Sequence, residues 1–292
     1  MDSRAGTTPI IVIVGETASG KSALALHLAE RHDGEIICAD ALTVRRGVDI
    51  GTAKPTDADR ARVPHHLIDV AAPCQDFTAA VFKERALSAI EDIAARGSVP
   101  FLVGGTGLYI DAVLYDYSFL PAGNRQGREA LNDLSVEQLL ELASQRGLNV
   151  SDIDIRNKRR IIRLLETGGQ HATKTGLRPN TLILGISQPR EQLRERVTSR
   201  VDRMLQDGLE QEVRGLAKTY GWQCEALKGI GYREWQAYFN DQQTMQETKE
   251  KIIKSTLDLA KKQRTWFRRN NSIHWVDDPS KIEAIVTTFL SK

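Results

Sequence analysis

Pro9-Ile-Ile-Val-Ile-Val14 is a β-branched run without polar alternation, and it leads straight into Gly15-Glu-Thr-Ala-Ser-Gly-Lys-Ser22. A strand that shows no period of two is covered on both faces, as the strands of a parallel sheet are. This start commits the chain to an α/β architecture. Beyond Ser22, Leu24, Leu26 and Leu28 sit among alanines up to Arg31, and with Gly20 behind them they predict a helix opening at Lys21.

Gly15 to Ser22 fits the pattern G-x-x-x-x-G-K-S/T in the context that gives it meaning, after a buried strand and before a helix. The glycines let successive backbone N–H groups point at phosphate oxygens, and the helix N-terminus adds partial positive charge. Lys21 neutralises charge, and the Ser22 hydroxyl is a ligand for Mg²⁺. Gly15, Glu16, Thr17, Ala18, Ser19, Gly20, Lys21 and Ser22 are therefore the expected phosphate-binding residues. Which phosphate compound they bind is left open, because kinases, ATPases and pyrophosphate-handling enzymes share the loop.

The remaining pattern alternates strands with helices. Glu35 to Cys38 and Pro100 to Val103 read as strands, with a helix from Phe77 to Arg96 between them and a turn at Gly104-Gly105. Residues 117–154 turn polar, with helical periodicity only near Val136 to Gln145. Asn157 to Glu166 reads as a basic helix, Thr181 to Ile186 as another buried strand, and the remainder to about Phe267 as long helices. The expected fold is α/β, a doubly wound parallel sheet of the P-loop NTPase kind. Residues 1–116 supply the first part of its core, 117–154 a short helical insertion, and 155–292 the rest, with basic C-terminal helices.

Forty Lys plus Arg against 38 Asp plus Glu leave a net charge of +2, so affinity for nucleic acid must come from local basic clusters. These lie late in the chain. Met1 to Thr8 is polar and no apolar run approaches the ~20 residues of a membrane span, so a cytoplasmic protein with no membrane partner is expected. Cys38, Cys74 and Cys224 stand far apart without a C-x-x-C pair, which predicts three reduced, packed thiols. His65 and His66 have no ligand-spaced partners and read as structural. Trp222, Trp235, Trp266 and Trp275 read as core.

Further segments carry a family resemblance. Asp40 ends the second strand, Asp49-Ile-Gly-Thr-Ala-Lys-Pro55 and Pro64-His-His-Leu-Ile-Asp69 follow, and Val103-Gly-Gly-Thr-Gly-Leu-Tyr109 comes after the third strand. With the phosphate loop these resemble, in the same order, the tRNA dimethylallyltransferase family, whose loop reads G-P-T-A-S-G-K. The likeness continues through Asn157 to Arg163, Arg196 to Leu205, Gly229-Ile-Gly-Tyr-Arg-Glu234, and Ala260-Lys-Lys-Gln263 with Thr265-Trp-Phe-Arg268. The chain departs from the family at Glu16, where proline is usual, at Ala41 for serine, at Thr43-Val-Arg45 for Gln-Val-Tyr, and at Leu257-Asp258 for Arg-Gln.

The resemblance implies that the exocyclic amine of an adenine beside the anticodon of tRNA attacks dimethylallyl pyrophosphate. Asp40 is then the expected general base, because an aryl amine sheds a proton as the new bond forms. Lys21, Thr106, Arg196 and Mg²⁺ on Ser22 stabilise the departing pyrophosphate. Thr106 also suits a helix cap. Expected tRNA contacts are Asp40, Ala41, Leu42, Thr43, Thr106, Arg128, Arg159, Arg160, Arg163, Lys228, Gly229, Ile230, Gly231, Tyr232, Arg233, Lys261, Lys262, Gln263 and Arg264. The insertion is expected to face the anticodon stem-loop, Leu108 and Tyr109 to wall the prenyl tail, and the chain to act as a monomer; Glu16, an anion beside a phosphate site, either points to solvent or weakens the grip on pyrophosphate. Three rivals are an adenylate prenyltransferase, a P-loop kinase, and a tRNA-binding protein that has lost its chemistry.

Overall fold

The computed structural model describes residues 8–120, 125–276 and 281–291. The unalternating run forms β1 (Ile10–Gly15), buried at every position. It joins β2 (Gly34–Ala39), β3 (His65–His66), β4 (Val99–Gly104), β5 (Thr181–Ile186) and β6 (Ile273–Trp275) in one sheet of order β3-β2-β4-β1-β5-β6. Every neighbouring pair is parallel. After β1 the chain crosses towards β2, and after β4 it heads for β5. The carboxyl ends of β1 and β4 therefore flank the point where connections part, which is where such sheets bind ligands.

Helices α1 (Lys21–Arg31), α2 (Asp57–Arg62), α3 (Ala79–Ala95) and α4 (Gly107–Leu114) accompany the first four strands. Beneath α1, Ala25, Leu28 and Ala29 close over Ile11, Ile13, Ile36 and Phe101. At the end of β4, a Cβ on Gly104 would lie 2.1 Å from the Ala39 carbonyl oxygen, so only glycine lets the turn after β4 come this close to β2.

Residues up to Leu114 and from Leu177 form one compact unit, and Tyr115–Gly176 form a second. The second unit is larger than the expected 117–154 because it includes α7 (Lys158–Thr167) beside α5 (Arg125–Asp133) and α6 (Val136–Gln145). Burial is the reason. Ile161, Ile162, Leu164 and Leu165 of α7 make a common core with Leu139 and Ala143 of α6, so this helix belongs to the insertion and not to the main unit.

In the main unit the chain continues through α8 (Arg190–Gln206), α9 (Leu209–Tyr220), α10 (Trp235–Phe239), α11 (Met245–Phe267) and α12 (Ile282–Leu290). At its start α11 carries a capping box, in which Thr244 and Glu247 satisfy each other's backbone N–H groups. Among the described residues no helix is long and apolar enough to cross a membrane. Trp235 is fully buried as expected, but Trp275 on the edge strand is 37% exposed.

The expectation of three reduced thiols fails, because Cys74 and Cys224, 150 residues apart, form a disulfide. Spacing rules see only local pairs, whereas here Ala226 N donates to the Pro73 carbonyl (3.1 Å) and brings two loops together. Cys38 remains a free thiol, and burial pushes it up to about 12.

Candidate active site

The phosphate loop follows β1 with two residues in the left-handed region, Ala18 at φ 61° and Gly20 at φ 98°. Gly15 admits no side chain, because a Cβ there would stand 2.4 Å from the Ile186 carbonyl oxygen. Lys21 donates to the Glu16 carbonyl at 3.3 Å. Burial first, and the Arg200 guanidinium second, lower its amine from 10.5 to about 8. Ser22 is exposed in the first turn of α1.

Glu16 does not point to solvent. It is 2% exposed, and Arg264 of α11 grips it with Nε to Oε2 at 2.7 Å and Nη2 to Oε1 at 2.6 Å. Gln188 N donates to the same carboxylate at 3.1 Å. This is a buried, two-pronged charge pair behind the loop. Gln263 lies beside it, accepting from Thr17 N at 2.8 Å and donating to the Gly105 carbonyl at 3.0 Å. Gln263 and Arg264, expected on RNA, thus brace the phosphate loop, because this face of α11 meets the loop while Lys261 and Lys262 stay exposed.

Asp40 follows β2. Its Oδ1 accepts from Leu42 N at 2.9 Å and from Thr43 N at 3.3 Å, an Asx-type turn that fixes the carboxylate. Thr106 Oγ1 accepts from Ala41 N at 3.1 Å, so its hydroxyl proton remains to be donated. It joins the ends of β2 and β4 in addition to standing before α4. Thr43 is buried and lines the inner of two cavities, whereas Arg45 is buried away from it and holds the carbonyls of Pro73 and Gln75 at 3.0 and 2.7 Å.

Two cavities meet at this edge. The inner one, about 110 Å³, has Asp40, Lys21, Ser22, Thr17 and Arg200 around it, and Ala25, Ile36, Val103 and Leu259 as its apolar lining. Leu108 and Tyr109 are not that wall. Leu108 is 38% exposed, and Tyr109 is turned into the core, stacked on Phe82 at 4.2 Å between centroids.

The outer cleft, about 840 Å³, opens over Lys21 and Ser22 and takes Arg196, Arg200 and Arg203 from one face of α8. Arg196 is exposed, and its Nη1 would be 3.6 Å from a Cβ on Gly20. Arg200, absent from the expected site, reaches Thr17 Oγ1 at 3.4 Å and the Thr52 carbonyl at 2.9 Å. The signal was present, because Arg200 stands one helical turn beyond Arg196.

The basic residues expected on RNA divide by their partners. Tyr232 is fully buried and donates to Glu212 at 2.7 Å, which makes it a core residue. Gly229 would bring a Cβ within 2.6 Å of Leu42, and Gly231 is needed for a φ of 90°. Ile230 is half-buried between them. Lys228 pairs with Glu225, and Arg233 with Glu234. In the second unit Arg128 and Arg163 both reach Glu166, and Arg163 also donates to the Leu120 carbonyl at 2.6 Å. Arg159 and Arg160 stand exposed on α7.

Among the described residues no cluster of three or more His, Cys, Asp or Glu is arranged to hold a metal ion. His65 bonds the Val63 carbonyl, and His66 bonds Glu35. The Ser22 hydroxyl beside the phosphate loop suits a hard cation that takes its other ligands from phosphate and water.

The IPP transferase family model matches residues 43–270. A tRNA dimethylallyltransferase of Geobacter metallireducens is 43% identical, over 97% of this chain and 97% of its own. One of Pelotomaculum thermopropionicum is 39% identical, over 94% and 93%. A solved tRNA isopentenylpyrophosphate transferase of Bacillus halodurans has a TM-score of 0.76 at 34% identity, covering 98% of this chain and 97% of that one. A eukaryotic dimethylallyltransferase solved acting on tRNA has a TM-score of 0.82 at 24% identity, covering 98% and 80%, and shares the fold.

Proposed function

The chain belongs to the IPP transferase family, and on that premise we propose that it transfers a dimethylallyl group from dimethylallyl pyrophosphate to an adenine beside the anticodon of a tRNA. The observation that carries this reading is one cavity lined both by the phosphate loop and by a carboxylate, Asp40. A kinase can use both, but the apolar lining of Ala25, Ile36, Val103 and Leu259 beside them suits a prenyl chain.

In the reaction the lone pair of the exocyclic nitrogen forms a bond to the first prenyl carbon. The carbon–oxygen bond breaks, and its electron pair leaves with pyrophosphate. The amine proton passes to Asp40, whose carboxylate is held ready by the amides of Leu42 and Thr43. Charge growing on the leaving oxygens meets the amides of residues 17–22, Lys21, Arg200 and Arg196. The Thr106 hydroxyl proton is a further donor at this edge. A magnesium ion, when bound, would be held by Ser22 and the phosphate oxygens and would withdraw charge from the leaving group. Ala25, Ile36, Val103 and Leu259 suit the five-carbon tail.

For the polynucleotide, the exposed cations Arg159, Arg160, Lys261 and Lys262 are the best suited, since they have donors to spare for phosphates. Incubation with dimethylallyl pyrophosphate, Mg²⁺ and unmodified tRNA, followed by mass spectrometry, is expected to give prenyl-adenosine in the tRNA. Product on free AMP with none on tRNA would replace this reading by an adenylate prenyltransferase. ATP hydrolysis without prenyl transfer would replace it by a P-loop NTPase.

A further inference from the structure

Glu212 of α9 lies outside every motif of the phosphate site, yet it has an arrangement that few surface carboxylates share. Three consecutive backbone amides converge on it: Asp49 N and Ile50 N donate to Oε2 at 2.9 and 2.8 Å, and Gly51 N to Oε1 at 3.2 Å. The Tyr232 hydroxyl adds a fourth donor, to Oε1 at 2.7 Å. Successive N–H groups of this kind form a nest that binds an anion, and here the anion is part of the protein.

The segment so held is the Asp49–Pro55 loop, which borders both cavities. It is tightly wound, with Ala53 N on the Ile50 carbonyl at 2.9 Å, Lys54 N on the Asp49 carbonyl at 3.1 Å, and Ala53 at φ 48°. It also packs on the same anchor. A Cβ on Gly51 would stand 2.6 Å from the Tyr232 ring, so only glycine lets the loop lie against that ring. The carbonyl of Thr52 then receives Arg200 Nη2 at 2.9 Å, while Nη1 of the same guanidinium reaches Thr17 in the phosphate loop at 3.4 Å.

We infer that Glu212 is a positioning residue for the diphosphate. Its carboxylate fixes the Asp49–Pro55 loop, the Thr52 carbonyl of that loop aims Arg200, and Arg200 faces the leaving group. The inference rests on the proposed diphosphate site and adds a residue that touches no substrate. A guanidinium is planar and rigid, so a shift of the carbonyl at one end turns the donors at the other.

The test is a double-mutant cycle on the full chain, read as binding of inorganic pyrophosphate with Mg²⁺ by calorimetry and as KM against kcat for dimethylallyl pyrophosphate. Glu212→Gln is expected to weaken pyrophosphate binding and raise KM by about tenfold and, because Arg200 also meets the charge growing on the leaving oxygens, to lower kcat as well, with KM for tRNA unchanged. In the Arg200→Lys background the same substitution is expected to change binding less than twofold, because the group it acts through is gone. Tyr232→Phe, which leaves the three amides in place, is expected to have a smaller effect in the same direction. Additive penalties in the cycle overturn the inference, as does a fall in melting temperature with KM unchanged. If the unaltered protein binds no pyrophosphate, the functional reading and the inference fall together.

Discussion

Arg264 and Arg159 carry the same guanidinium in opposite settings. The Arg264 side chain is 19% exposed and closed on the Glu16 carboxylate, whose side chain is 1% exposed. Arg159, with its neighbour Arg160, stands out from α7 into solvent. A buried fork fixes the position of what it holds, whereas an exposed one keeps its donors for a polyanion. Local sequence does not separate the two kinds. Lys261-Lys-Gln-Arg264 reads as one basic stretch, and only its first two residues face water.

The strongest way to break this contrast is Arg264→Ala, which leaves the Glu16 carboxylate buried without its partner. A loss of about 3–5 kcal/mol is expected in denaturant unfolding, and much of it should return when Glu16→Gln is added. An unchanged stability with a raised KM for tRNA would put Arg264 on the RNA after all. Next in size, Lys21→Ala is expected to lower kcat by ~10² to 10³ while the protein stays folded, as measured by prenyl transfer to tRNA.

The lowered amine of Lys21, near 8, gives a pH signature. Pyrophosphate binds the charged form, so affinity is expected to fall by about tenfold from pH 7 to pH 9 in calorimetry. Stability moves the other way. The unfolded chain holds this proton up to its ordinary value of 10.5, so between about pH 8 and 10.5 it binds more protons than the folded one. This group's contribution to stability therefore rises with pH across that window and is lost as pH falls through 8. Lys21→Met should flatten both curves. The smallest effect is expected from the joint change Arg159→Ala and Arg160→Ala, which should lower the slope of log affinity for tRNA against log salt by about 1 per arginine and leave the melting temperature alone.

Much of the site was legible because its parts are local in the chain. The strand Ile10–Gly15, the loop to Ser22 and the helix from Lys21 are contiguous, so periodicity and glycine placement suffice to find them. Asp40 and Thr106 were singled out by the family resemblance, whose motifs fall just after the ends of two buried strands. The two-residue strand His65–His66 is too short to show a period. The basic pattern of α7 could not say which core would bury its apolar stripe.

By itself the sequence determined the doubly wound sheet, the phosphate loop and the carboxylate at its edge, because each depends on residues within a turn or a strand of one another. Only the tertiary structure decided that Arg264 braces the loop from 248 residues away, that Cys74 meets Cys224 across 150, and that Glu212 holds Gly51 across 161. These contacts join segments far apart in the chain, and hydrophobic burial, which is non-directional, chooses the packing that brings them together over the whole chain at once.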